Sequence, residues 1–279
     1  MSHTVPSNQY EPGVAQEQQA MTHAQTLDLL NTDLTVSYVF TQRVELSLAI
    51  PLRLVRSSVD FLDQAGRKLN GFESIHHRNE TITGVDDLRL EVRHRLLTPA
   101  SLDTLRLDVK YGISFPVAAI EPDPFELGRR GRRHQHVFFG TGTFDPLAAV
   151  QIEYGFGEFV LGGETEWTGS LYANRYGYRG PISLTQRVAI GSSFGTTTWF
   201  PSLGTELFKE FPARWSNEVA ENSGRLEVSP MVALRAAATR WVSVMASVKK
   251  PFILSAQSTT LHVPLIVMLS VQTAVDTHR

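Results

Sequence analysis

Leu105-Arg106-Leu107-Asp108-Val109-Lys110-Tyr111-Gly112-Ile113-Ser114-Phe115 alternates without a slip. Leu105, Leu107, Val109, Tyr111, Ile113 and Phe115 take one phase, and Arg106, Asp108, Lys110, Gly112 and Ser114 the other. Successive side chains of a strand point to opposite faces, so this stretch writes a strand with one apolar and one charged side. It is also long. Strands of soluble proteins usually run to about five or six residues, whereas a tilted strand needs about nine to eleven to cross a bilayer.

The pattern repeats on both sides. Upstream, Leu88, Leu90, Val92 and Leu96 oppose Asp87, Arg89, Glu91, Arg93 and Arg95. Val44, Leu46, Leu48, Ile50, Leu52 and Leu54 oppose Glu45, Ser47, Ala49, Pro51 and Arg53. Downstream come Val242, Val244, Ala246 and Val248 against Ser243, Ser247 and Lys249, then a last run through Leu261, Val263, Leu265, Val267, Leu269 and Val271. Eleven such runs span about 26–41, 44–62, 85–97, 102–118, 145–157, 158–173, 181–195, 196–211, 223–237, 241–256 and 259–273. Length with strict alternation is the signature of a transmembrane barrel. The expected fold is therefore all-β, an antiparallel transmembrane β-barrel of about twelve strands over 26–273. It is preceded by a polar segment or outer loop at 1–25 and followed by a polar tail at 274–279.

Connections alternate in length as such barrels require. Gln42–Arg43, Thr98–Ser101, Gly155–Glu158 and Ala238–Arg240 are short, while about 63–84, 119–144, 174–180 and 212–222 are long. The short turns are assigned to the periplasm. Tyr38, Phe40, Tyr154, Phe156, Phe159 and Trp241 gather at that end, where rings with one apolar and one wet side favour the membrane interface. Ordinary core packing is the other reading of these aromatics. With both outermost runs heading the same way, an even-stranded barrel calls for one more strand before residue 26. Ser2 to Ala24, with Pro6, Pro12 and Gly13, reads as a loop, so that strand and a signal peptide are expected upstream. Pro51, Pro116, Pro201 and Pro251 are read as late in strands that lead away from short turns, where a missing donor ends regular pairing.

Composition narrows the chemistry. The chain has no cysteine, which removes thiol catalysis, disulfides and thiolate metal sites. Net charge of −2 gives no global reason to bind nucleic acid. No apolar run approaches the roughly 18 residues of a membrane helix, and Met1 to Ala20 has no signal-peptide h-region.

Leu34 through Pro51 resembles the opening hairpin of a family of outer-membrane transporters named for the MetA pathway of phenol degradation. A strand ends in an aromatic, turns tightly, and an alternating strand closes on Pro51. Thr83 to Leu90 resembles the family's Gly-x-Gly-Asp-Leu segment, with Asp86 in place of the second Gly. Tyr111 to Pro116 and Gly140 to Pro146 are similar to further family landmarks. The polar C-terminal tail departs from the terminal aromatic of many outer-membrane barrels. The resemblance implies an outer-membrane location and a transport role, without specifying a substrate.

The charged phase carries the candidate lumen-lining residues: Glu45, Arg53, Asp87, Arg89, Glu91, Arg93, Arg106, Asp108, Lys110, Glu153, Glu164, Glu166, Arg187, Arg225, Glu227 and Arg235. A barrel of about twelve strands is narrow. Unlike charges inside it either interlock and plug the lumen or line a polar, ion-selective path. Arg129, Arg130, Arg132 and Arg133 form a basic cluster in a long outer loop. Facing outward it would meet lipopolysaccharide phosphates, which arginine clamps in pairs. Stacking aromatics interleaved for nucleic acid are missing, and a merely solvated loop is the commonest fate of such a run. His134 with His136, and His76 with His77, are pairs without a third metal ligand. His94 lies on the apolar phase, where a barrel phospholipase would hold its histidine, but no serine is spaced to join it.

The functional expectation is passive passage of small molecules across an outer membrane, with no catalytic residue, cofactor or metal. The partners are outer-membrane lipid, lipopolysaccharide and small solutes. One alternative is a closed barrel with a structural or surface-interaction role. The other is a soluble β-barrel holding a small apolar ligand, which would turn the apolar phase inward.

Overall fold

The structure, a computed structural model, describes residues 2–6, 22–63, 65–70, 77–97, 105–134, 137–193, 198–216, 218–220, 223–257 and 262–275. Its strands are β1 (Ser2–Pro6), β2 (Thr22–Thr41), β3 (Val44–Leu62), β4 (Glu80–Val85), β5 (Leu88–Leu97), β6 (Leu105–Phe115), β7 (Asp145–Phe156) and β8 (Phe159–Gly169). There follow β9 (Tyr178–Arg179), β10 (Ile182–Ser192), β11 (Trp199–Glu210), β12 (Arg214–Trp215), β13 (Glu218–Val219), β14 (Arg225–Ala237), β15 (Val242–Lys249), β16 (Phe252–Ala256) and β17 (Ile266–Thr273). One helical turn, α1 (Pro124–Arg129), sits in a long loop.

One antiparallel sheet runs β1-β2-β3-β5-β6-β7-β8-β10-β11-β14-β15-β17. Neighbours in this order are neighbours in the chain apart from the elements inserted in the long loops, as an up-and-down barrel requires. β4 continues the line of β5 against β3: Leu52–Ser57 pair with β4 and Val44–Ala49 with β5. The break falls at Asp86 and Asp87, where the Asp86 amide donates to the Pro51 carbonyl at 2.9 Å. β16 likewise continues β15 against β14 beyond Lys250 and Pro251. Pro251 thus interrupts a strand and Pro116 follows the end of β6, as read. Pro201 is the third residue of β11, at the short-turn end, and departs from that reading.

The eleven expected runs are all strands in the sheet. The N-terminal segment differs from its expected loop. Ser2–Pro6 is a strand, antiparallel to Thr22–Thr26, and β2 begins four residues early. Ser2-His3-Thr4-Val5-Pro6 carries no apolar–polar alternation, so the sequence gives no strand signal there. Among the described residues, no strand joins β1 to β17 across the two ends of the order. The turn expected at Thr98–Ser101 lies outside the described residues.

Register sets the faces. Leu30, Leu34, Leu203, Val232, Leu254, Val267 and Leu269 are all more than half exposed, and every one of them belongs to the apolar phase. A soluble barrel with an apolar interior is therefore overturned. Its apolar phase would be the buried one, whereas here the charged phase holds the buried Asp108, Glu206 and Glu227. On β7 the apolar phase runs from Tyr154 up to Ala148, with Phe144 just above the strand. Ten residues at about 3.4 Å each, tilted by about 40°, give roughly 26 Å of height, close to the apolar band of outer-membrane barrels. Rings mark both limits. Tyr38 and Phe40 meet at 4.8 Å, and Phe156 lies 5.9 Å from Tyr154 and 5.8 Å from Phe159, at the short-turn end. Phe115 and Phe144 meet at 5.7 Å at the other end.

β3 shows where the band stops. Up to Leu54 its outward residues are apolar; beyond it they are Arg56, Ser58 and Asp60, all exposed. The inward residues change in the opposite sense, to buried Val55, Val59 and Phe61, and Leu69 packs on Val59 and Phe61. Above the band the strand faces water on its outer side, so the ordinary rule of apolar-inside returns.

Candidate functional site

The charged face is the concave one. Lys110 of β6 reaches Glu164 of β8 at 2.7 Å, passing over β7, and Lys249 of β15 reaches Glu206 of β11 at 2.6 Å, passing over β14. Strands two apart are separated by more than 9 Å. Their side chains meet readily only where curvature makes them converge. Small residues lie beneath each crossing, Ala149 on β7 and Ser229 on β14, both buried.

Among the described residues, the ion pairs of this face form three groups of more than two charges and two simple pairs, Arg93–Glu45 and Arg225–Glu227. Arg53 lies between Asp33 at 2.9 Å and Asp86 at 3.1 Å, with Arg89 on the other Asp33 oxygen at 3.5 Å. Arg93 pairs with Glu45. Asp108 receives Arg95 at 3.3 Å and Arg106 at 2.5 Å, and Arg106 also reaches Glu153 at 3.2 Å. The third group is a chain: Lys110, Glu164, Arg187 at 3.3 Å, Glu206 at 2.7 Å, then Lys249. Because the chain runs strand to strand along the wall, each charge is neutralised by a neighbour on the same curved surface. Arg225 lies 3.7 Å from Glu227 and over the Phe208 ring, and Arg235 covers Phe200 at 5.2 Å. Glu91 and Glu166 share the face but join no ion pair among the described residues.

Asp87 departs from its neighbours. Its carboxylate accepts the amides of Ala118 at 3.1 Å and Thr141 at 3.0 Å. It anchors a loop, the long β6–β7 connection, against the inner wall. Gly140 makes that approach feasible: a Cβ there would stand 2.5 Å from an Asp87 oxygen and 2.6 Å from the Ala118 Cβ. Asp145 continues the anchor, accepting from Thr141 Oγ1 at 2.7 Å and Thr143 Oγ1 at 2.6 Å, with Thr143 wholly buried.

Three long loops then build a cap. β9, β12 and β13 form a second small antiparallel sheet. Ala213, Trp215 and Ala220 are its buried core, with Phe125, Phe138, Tyr176 and Tyr178 packed on them. Asn174 ties two of the loops, donating to the Thr141 carbonyl at 2.8 Å and accepting the amides of Tyr176 and Tyr178. Burial, with the charges of Glu210 and Asp145 adding to it, pushes the Tyr178 phenol up to about 12.

The basic cluster is divided. Asp123 caps α1 by accepting the Phe125 amide at 2.9 Å, and Glu126 accepts from Arg129 at 2.6 Å and Arg130 at 2.8 Å. Those hydrogen bonds hold the Glu126 carboxyl below its usual range. Arg132 and Arg133 follow beyond the helix. His134 is buried, its Nδ1 2.8 Å from the Arg132 carbonyl; His136 and His76 lie outside the described residues. His77 stacks on His23 at 4.4 Å. Among the described residues, no group of three metal-ligating side chains occurs. His94 faces outward, its Nδ1 3.1 Å from the Tyr111 hydroxyl.

Sequence reading missed Asp33, Asp86 and Glu206, although Glu206 alternates with Leu203 and Leu207 and was open to the same argument. It also missed the cap, whose residues share no period.

No protein-family model and no curated protein matches the chain. Among solved structures it is similar to an outer membrane channel from Pseudomonas putida F1, with a TM-score of 0.57 and 12% identity over 91% of this chain and 85% of that one. It also overlaps OmpT, an outer membrane protein of Vibrio cholerae, over 90% of this chain and 97% of that one at 10% identity, but at a TM-score of 0.40 the overlap is too loose to argue from. The first likeness, with the antiparallel sheet and its outward apolar band, gives the chain the fold of an outer-membrane β-barrel.

Proposed function

We propose that this outer-membrane-type barrel is a passive channel for small polar solutes, in a Gram-negative outer membrane, and not an enzyme. One observation carries the reading. The curved sheet keeps more than a dozen charged side chains on its concave face, paired along the wall instead of buried under apolar packing. A barrel with a purely structural role has no need of such a surface, whereas rings and rows of charge set preference in a pore. The similar solved structure is an outer membrane channel, and the transporter family that Leu34–Pro51 resembles points the same way. The hydrogen bond between His94 and Tyr111 gives His94 a structural partner on the outer face, which favours a channel over a lipase. In this reading the short turns face the periplasm and the capped mouth faces outward, where Arg132 and Arg133 would meet lipopolysaccharide phosphate.

The cap supports a second reading, a closed barrel. The anchor from Asp87 to the β6–β7 loop draws that loop over the concave wall. Single-channel recording in planar bilayers separates the two. Discrete steps whose ion preference shifts when Lys110 or Glu164 is neutralised support the channel. A protein that inserts and resists heat-modified gel migration, yet passes no current, establishes the closed barrel instead.

A further inference from the structure

Phe200 and Arg235 stand opposite each other in the β11–β14 pair, on the concave face near the short-turn end. The guanidinium lies over the ring, 5.2 Å from its centroid, where the ring's quadrupole holds a cation. The ring in turn crosses β10. A Cβ on Gly191 would stand 2.4 Å from its Cε1 and 2.8 Å from its Cζ, so the missing side chain is what lets the ring lie there. Backbone, ring and guanidinium are stacked as one platform.

Among the described residues, the other arginines and lysines lining this face each meet a carboxylate. Arg235 is exposed, and among the described residues its guanidinium has the Phe200 ring and no ion pair. Glu206 is six residues up β11 from Phe200 and Glu227 eight residues up β14 from Arg235, which puts both roughly 20 Å or more away along the strands. β15 carries no acid at all. The inward neighbours are uncharged instead: Ala233 and Ala237 on β14, and Met245 opposite Arg235 on β15. A second group on this patch also lacks a partner. Ser247 pairs with Ala233, so it lies diagonal to Arg235, at about 7–8 Å and within reach of a long side chain. It is 4% exposed, and its hydroxyl has no hydrogen-bond partner among the described residues. A buried hydroxyl left so is costly, and Met245, unbranched and adaptable, is the side chain beside it.

We propose that Arg235 on its Phe200 platform, together with Ser247, is a solute site for a small monocarboxylate with an apolar body. Arginine's planar fork matches the two carboxylate oxygens, and the Ser247 hydroxyl donates to one of them. The apolar body lies along Phe200, Met245 and Ala233, where burying it is favourable. The inference rests on the channel reading above for its role, as the part of the wall that selects a solute.

The test uses the refolded full chain in a maltoside detergent, with cyclohexanecarboxylate as probe and heat-modified gel migration to show that each variant is folded. Titration calorimetry is expected to show saturable binding that weakens about tenfold or more in Arg235→Gln, the loss typical of hydrogen bonds to a charged group. Arg235→Lys keeps the charge and loses the fork, so it should bind between the two. Ser247→Ala should also weaken the binding. Acetate, without the apolar body, and cyclohexylammonium, with the charge reversed, should each bind more weakly than the probe. In planar bilayers the probe should reduce chloride current in the parent, at a half-saturating concentration that Arg235→Gln raises by a similar factor. A barrel that binds the probe but passes no current ends the channel reading and leaves the carboxylate site standing. A barrel that conducts chloride but shows no saturable binding ends the site alone. Binding that Arg235→Gln and Arg235→Lys leave unchanged, or cyclohexylammonium bound as tightly as the carboxylate, overturns the proposal.

Discussion

Val150 and Gln151 are adjacent on β7, and the same arginine placed at each should have opposite consequences. Val150 faces outward and is 48% exposed. Phe144 and Phe156 lie on its phase, six residues to either side. At about 3.4 Å per residue and a tilt of about 40°, each ring is roughly 16 Å away in height, which puts Val150 near the midplane of the apolar band. An arginine there should cost about 2–4 kcal/mol, or about 30-fold to 900-fold in the folding equilibrium. Gln151 points into the concave face. Its register partners are Asp108 and Glu164, and its Nε2 donates to Glu153 at 3.1 Å. An arginine at this position meets carboxylates, so its cost should stay within about 0.5 kcal/mol. Urea unfolding from phospholipid vesicles, followed by tryptophan fluorescence, measures both. Equal costs, or a larger one for Gln151→Arg, would refute the assignment of faces and with it the channel reading.

Three further outcomes follow from the wall and the cap. Glu206→Gln removes the carboxylate shared by Arg187 and Lys249. It should shift the reversal potential in a salt gradient toward anions and lower stability by about 1–3 kcal/mol, less than a fully buried pair would lose because Arg187 keeps solvent contact; an unmoved reversal potential counts against a conducting wall. Gly140→Ala sets a Cβ against Asp87 and Ala118. It should push the β6–β7 loop off the wall, raising open-channel current and the rate of loop proteolysis, and unchanged values for both would mean the loop does not seal the mouth. Tyr178 has its phenol raised to about 12 from an unfolded value near 10, so folding favours the neutral form. Its contribution to cap stability is complete below about pH 10 and is lost as pH rises toward about 12. Tyr178→Phe should flatten that alkaline decline in thermal melts, and a decline of the same size in the variant would rule Tyr178 out as its cause.

Local covalent geometry accounts for what could be read along the chain. A strand sends alternate side chains to opposite faces wherever it lies, so the run from Leu105 to Phe115 carries its own two-faced design, and Lys110, Glu164 and Arg187 could each be placed on the charged face without a partner in view. The order of the strands followed from the short turns, since a two-residue connection such as Gln42–Arg43 leaves an antiparallel neighbour as the only choice. Which phase faces the membrane did not follow, because alternation is symmetric. Curvature decided it, by bringing Lys249 to Glu206 over an intervening strand on one face only. The same holds for Asp87, indistinguishable in sequence from its charged neighbours until the Ala118 and Thr141 amides arrive from a loop some thirty to fifty residues away. The cap is the extreme case. Trp215, Tyr178 and Phe138 come from three loops of no regular period, and only the closing of the sheet beneath them brings those loops within reach. Faces and neighbours are properties of a few consecutive residues; concavity, anchoring and the core of the cap are properties of distance in space, which no period in the chain encodes.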